Sequence, residues 1–187
     1  SVSWSPDGLL LASGDRFGSI HVWNVLGDEV FTTLRGHTGA VTSLFWSADG
    51  DRLLSTGWDG TVRIWDLHLQ KEVRNWDAHD GGTLGMTATG TGVQGREELL
   101  LTFGRDRMVR VWSEHGNKIT EANFSSEVTQ VSPLLGTSES LFVVGDAIGN
   151  LGVFQLDAVS NRFFEAYSIA IPINRERQSL SIRRPET

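Results

Sequence analysis

The stretch SLFWSADGDRLLSTGWDGTVRIWDL occupies residues 43–67, and residues 1–25, SVSWSPDGLLLASGDRFGSIHVWNV, repeat its arrangement. Trp46 matches Trp4 and Trp65 matches Trp23, both at a spacing of 42. A third copy reads LLLTFGRDRMVRVWS at 99–113, and a weaker fourth reads LFVVGDAIGNLGVFQL at 141–156. The closing aromatics Trp23, Trp65, Trp112 and Phe154 are thus separated by 42, 47 and 42 residues. A fixed period of this length marks a repeat architecture, in which each unit buries its apolar face only against a neighbour.

Within one unit, residues 41–46 and 61–65 alternate apolar and polar side chains, and 52–56 form the short run Arg-Leu-Leu-Ser-Thr. Each predicts a short strand. Asp49-Gly50 and Asp59-Gly60 supply the intervening turns, because Asp and Gly tolerate the backbone angles that tight turns need. A fourth strand is expected at 72–76. Four antiparallel strands in about 42 residues describe a propeller blade, and helix is expected to be essentially absent.

Composition agrees. The chain has 187 residues, 39% of them hydrophobic, with seven Trp against one Tyr and 21 Gly against four Pro. This excludes wholesale disorder and favours many short strands joined by turns. A net charge of −7 argues against an electrostatic grip on nucleic acid or anionic lipid. Without Cys there is no disulfide framework, no thiolate zinc site and no Cys nucleophile. No apolar run reaches the roughly 18 residues that span a bilayer. Residue 1 is Ser and lies inside a strand pattern, so localisation is not readable.

At these residues the chain resembles the WD-repeat family of β-propellers, its bacterial-type multi-repeat members included, over nearly all of residues 1–167. Repeat two matches best, with Gly36-His37 opening it, Asp59 in the tight turn and Trp65-Asp66 closing its third strand. The other repeats close on Trp23-Asn24, Trp112-Ser113 and Phe154-Gln155, and repeat three has five extra residues. The resemblance implies an all-β fold of about four four-stranded blades, at 1–34, 35–76, 77–124 and 125–167. About four blades are fewer than the usual ring of roughly seven, so an open arc is expected, either a fragment or one completed by another copy. Residues 168–187 form a C-terminal extension, polar and flexible from about 174, carrying four basic and two acidic residues. Within it, 168–173 are a candidate for pairing with an exposed edge.

The family's His, Ser or Thr, Asp and Trp network falls on His37, Ser55, Asp59 and Trp65, and on His79, Thr102, Asp106 and Trp112. Its chemistry is self-consistent, since imidazole can donate to the carboxylate and accept from the hydroxyl, which accepts from indole. Ser, His and Asp also suggest a hydrolase triad, but the set occurs twice and its hydroxyl is occupied, so a structural role is expected. Repeat one keeps Ser13 and Trp23, with Phe17 at the Asp position. Repeat four has Val144, Ile148 and Phe154, which predicts apolar packing in place of the network. GTGVQG at 90–95 fits the dinucleotide fingerprint only literally, because it leads into a strand and not a helix. His21, His68 and His115 lack a second ligand at metal spacing, so neither metal nor cofactor is expected.

In this family partners contact the third and fifth residues after the motif His and the residue before the turn Asp. These positions are Ala40, Thr42 and Trp58, then Gly82, Leu84 and Arg105, then Glu127, Thr129 and Ala147, with Arg16 alone in repeat one. Arg16, Trp58 and Arg105 share one position in successive repeats, and Trp and Arg are enriched at binding hot spots. The alternative is that Trp58 packs on a neighbouring blade and the arginines form local salt bridges. The expected function is a non-catalytic scaffold for a protein or peptide partner, without nucleic acid or membrane, and with open edges available for self-association. The rivals are a regulatory or sensory repeat region fused to a kinase, NTPase or cytochrome effector, and a phosphopeptide or modified-residue reader using Arg16 and Arg105.

Overall fold

The structure, a computed structural model, describes residues 1–88, 99–133, 140–157 and 162–170. It contains four antiparallel four-stranded sheets, and no helix among the described residues. Sheet one holds β1 (Val2–Trp4), β2 (Leu10–Gly14), β3 (Ser19–Asn24) and β4 (Glu29–Arg35). Sheet two holds β5 (Val41–Trp46), β6 (Arg52–Gly57), β7 (Thr61–Asp66) and β8 (Lys71–Asp77). Sheet three holds β9 (Thr83–Ala88), β10 (Leu100–Gly104), β11 (Met108–Trp112) and β12 (Lys118–Asn123). Sheet four holds β13 (Val128–Pro133), β14 (Ser140–Asp146), β15 (Asn150–Asp157) and β16 (Arg162–Ala170). Strands pair in chain order within each sheet, and none of the sheets closes on itself. Each has the strand order of a propeller blade, and the fold is all-β.

The chain divides into two compact units, Ser1–Met86 with Gly104–Asp106, and Thr87–Phe103 with Arg107–Thr187. In the first, alternation turns Leu44 and Trp46 on β5 and Val62 and Ile64 on β7 inward to full or nearly full burial, and a register shift between Val41 and Ser43 brings Val41 to the same face. Ala12, Ile20, Val22 and Leu34 of blade one cluster with Val41, Leu44, Trp46 and Leu53 of blade two. Trp46 donates its indole N–H to the Ser3 carbonyl at 3.0 Å, tying the innermost strands of the two blades together. Its repeat counterpart Trp4 is 55% exposed against 5% for Trp46. In the second unit Val109, Val111, Val131 and Phe142 are fully buried.

One irregularity recurs in every blade. The pairing register between the third and fourth strands shifts at Val22/Trp23, Ile64/Trp65, Val111/Trp112 and Val153/Phe154. Such a bulge bends the strand and re-aims the next side chain, and here that side chain is always the closing aromatic. β16 runs to Ala170, with Ser168, Ile169 and Ala170 opposite Gly152, Leu151 and Asn150. Residues 168–170 therefore continue the outer strand of blade four, three residues past the boundary read from the sequence, and do not form a separate edge segment. The GTGVQG stretch and residues 171–187 lie outside the described residues.

Candidate functional site

The polar networks lie beneath the turns between the second and third strands. In blade two, His37 Nδ1 stands 2.9 Å and 3.0 Å from the two Asp59 oxygens, and its Nε2 stands 2.8 Å from Ser55 Oγ. A carboxylate only accepts, so Nδ1 carries the proton and Nε2 accepts from the serine hydroxyl. The Trp65 indole N–H, aimed inward by the bulge, donates to the same Ser55 Oγ at 2.8 Å. Asp59 also accepts the N–H groups of Thr38 and Thr61 and the Thr61 hydroxyl, and Arg63 bridges from Asp59 to Glu72. Burial opposes ionisation of Asp59, but these donors, His37 foremost, outweigh it and hold the carboxyl well below its ordinary range. Ser55 is 0% exposed with its oxygen engaged on both sides, so it has no face on which to meet a substrate.

In blade three His79 Nδ1 donates to Asp106 at 2.8 Å, and Trp112 donates to Thr102 Oγ1 at 2.8 Å. Blade one retains the pair from Trp23 to Ser13 at 2.9 Å.

Blades one and four hold the turn by a second device that the sequence reading did not anticipate. Asp15 Oδ1 accepts the N–H of Phe17 at 2.8 Å and of Ser19 at 2.9 Å. Asp146 Oδ1 accepts the N–H of Ile148 at 3.2 Å and of Asn150 at 2.7 Å, and its other oxygen accepts from Ser126 and Asn150 side chains. The Ser126 hydroxyl and the turn N–H groups lower the Asp146 pKa against the effect of burial. Both residues stand two positions ahead of the expected turn Asp, where blades two and three have Gly57 and Gly104. A Cβ on Gly57 would lie 2.7 Å from His37 Nδ1, and one on Gly104 would lie 2.4 Å from His79 Cγ. An imidazole under the turn and a side chain at this position are therefore mutually exclusive. Blade four has Phe124 at the His position, and its ring meets Phe154 edge-on at 5.1 Å. The expected apolar replacement is found there, except that Ile148 is 56% exposed and takes no part in it.

Above the networks, the backbone brings together the positions expected to contact a partner. Trp58 N–H donates to the Ala40 carbonyl, Arg105 N–H to Gly82 and Ala147 N–H to Glu127, at 2.9, 3.1 and 2.8 Å. Trp58, Arg105 and Arg16 are exposed in the first unit, and Glu127 and Thr129 in the second. Thr42 and Leu84 are half-buried, and the Thr42 hydroxyl is engaged with that of Thr56 at 2.9 Å. The Arg105 guanidinium lies 5.1 Å from the Trp58 ring centre, and Arg16 lies 4.5 Å from that of Phe17. Neither arginine forms a salt bridge among the described residues, and Trp58 keeps 55% of its surface exposed. Phe17 was recognised in the sequence only as a missing Asp.

Comparison with known proteins follows the same pattern. The family model described as "WD domain, G-beta repeat" matches residues 1–24 and 28–66. Periodic tryptophan protein 2 of Arabidopsis thaliana is 44% identical over 75 residues, covering 40% of this chain and 8% of that protein. The Target of rapamycin complex subunit wat1 of Schizosaccharomyces pombe is 27% identical over 154 residues, covering 81% and 47%. A chain in the crystal structure of the Mitotic Checkpoint Complex superposes with a TM-score of 0.77 at 25% identity, covering 95% of this chain and 52% of that one. The chain thus spans less than half the length of these two curated relatives and about half of the solved neighbour.

Proposed function

The chain belongs to the WD-repeat family of β-propellers, and from that premise we propose that it is a non-catalytic scaffold whose turn face receives a partner protein. The observation that carries the reading is the Trp58 and Arg105 pair, an exposed aromatic and an unpaired guanidinium held on neighbouring turns by backbone hydrogen bonds. Large aromatics and arginines on a fixed backbone provide contact area at small ordering cost. Arg16, Thr42 and Leu84 extend the contact surface in the first unit, and Glu127 and Thr129 belong to it in the second. The eight network residues, from His37 and Ser55 to Asp106 and Trp112, act as the clamp beneath. Relatives named as a complex subunit and a neighbour solved within a complex support the same role.

Quantitative affinity capture with the wild-type chain and with a folded Trp58→Ala, Arg105→Ala variant tests this. A defined set of captured proteins should be lost with the variant, and an unchanged set would overturn the assignment.

A second reading concerns the exposed side of blade one. Trp4 and Val2 are exposed, whereas their counterparts Trp46 and Leu44 are buried against a neighbouring blade. This face fits another blade, including one from a second copy of the chain. Sedimentation at increasing concentration should show association that Trp4→Arg abolishes, and a concentration-independent monomer would dismiss self-association.

A further inference from the structure

The turn positions of the first unit form one continuous ridge. Gly18 packs so tightly under the following blade that a Cβ would lie 2.2 Å from the His37 carbonyl oxygen and 3.1 Å from that of Gly39. Gly60 repeats the contact one blade on, with 2.4 Å to the His79 carbonyl, and Gly82 lies against the Trp58 backbone. Arg16 with Phe17, then Trp58, then Arg105 therefore follow one another along unbroken backbone contact.

Each guanidinium carbon lies over an aromatic ring, Arg16 at 4.5 Å from the Phe17 centre and Arg105 at 5.1 Å from that of Trp58, in cation–π contact. A guanidinium suits a carboxylate, whose two oxygens can accept from it in parallel. The carboxylates at the base of the ridge are already committed, Asp15 to its turn, Asp59 to His37 and Asp106 to His79. Arg16 and Arg105 have no ion-pair partner among the described residues, and they stand on a chain of net charge −7, which elsewhere disfavours acidic partners.

We infer that this ridge binds an acidic segment of a partner protein, with its carboxylates on Arg16 and Arg105 and an apolar side chain against Trp58. The inference rests on the scaffold reading and gives its partner a chemistry.

The probe is a short fluorescein-labelled peptide rich in Glu with Leu and Phe interspersed, compared by fluorescence anisotropy with its Gln and phosphoserine counterparts. The Glu peptide should bind and the Gln peptide should not. Arg16→Ala and Arg105→Ala should each weaken binding by at least about fivefold, and more at low than at high salt. Arg52→Ala, at an exposed site at the start of β6, should leave it unchanged. Equal binding of the Gln peptide, or indifference to both ridge substitutions, would overturn the inference. Binding of the phosphoserine peptide alone would overturn it in favour of phosphate recognition. Should all peptides fail while protein capture still depends on Trp58 and Arg105, the scaffold reading stands and only the acidic assignment falls.

Discussion

Substituting Gly57 by Ala should be costly only while His37 is present. The added Cβ would lie 2.7 Å from His37 Nδ1 and 2.9 Å from Asp59 Oδ1, closer than real Cβ contacts allow. His37 has no exposed side-chain surface and bonds at both nitrogens, so it cannot swing aside without releasing Asp59 and Ser55. Overpacking costs about 1–3 kcal/mol and loss of a hydrogen bond to a charged group about 1.5–3 kcal/mol. Against this, Gly to Ala restricts the unfolded chain and returns about 0.4–1 kcal/mol. The net expectation for Gly57→Ala is a loss of about 2–4 kcal/mol. In a His37→Ala background the imidazole contacts are gone, and the remaining approach to Asp59 Oδ1 is to a side chain released from its imidazole partner and able to shift, so the same change should be close to neutral. Urea denaturation of the four proteins, followed by far-UV circular dichroism at neutral pH, gives the coupling directly. We expect at least about 2 kcal/mol, and additivity within about 0.5 kcal/mol would refute mutual exclusion of the two turn devices.

Three other outcomes follow from the clamp and the inner strands. Ser55→Ala strands two buried groups, His37 Nε2 and Trp65 Nε1, and should cost about 2–4 kcal/mol in the same denaturation assay. Asp59 has a folded pKa held below its ordinary 3.8, so its contribution is complete above that value and is lost as pH falls below it. Acid titration of stability should therefore steepen below about pH 4 in the wild type and flatten there in Asp59→Asn. Thr83 Oγ1 is buried without a hydrogen-bond partner, at the position held by Val41 in blade two and Val128 in blade four. Thr83→Val should raise stability by about 1 kcal/mol, and an equal loss would show that the hydroxyl is satisfied.

Much of this was legible because the repeat is written in residue types with few alternatives. Trp65, Ser55, His37 and Asp59 read as a network because the resemblance to the WD-repeat family places them in one and their donors and acceptors are consistent with it, and the strands around them follow from alternation. What escaped depends on three-dimensional exclusion. Asp15 and Asp146 look like unremarkable turn residues until the imidazoles beneath Gly57 and Gly104 show why a carboxylate can stand there only in blades lacking the His. Phe124 fell at the end of the third blade as read from the sequence because no motif marks it, although counting from Glu127 places it at the His position. The bulge before each closing aromatic leaves no trace in composition, because it changes pairing and not residue type.

The contacts of Gly18 and Gly60 with the carbonyls of the next blade make the spacing of the first three turns a property of the main chain. The ridge is in effect a ruler, whose graduations are Arg16, Trp58 and Arg105 and whose pitch no surface substitution can stretch. A partner docked as proposed would have to bring its own groups to that pitch, so selectivity would reside in the spacing of a ligand's side chains as much as in their identity.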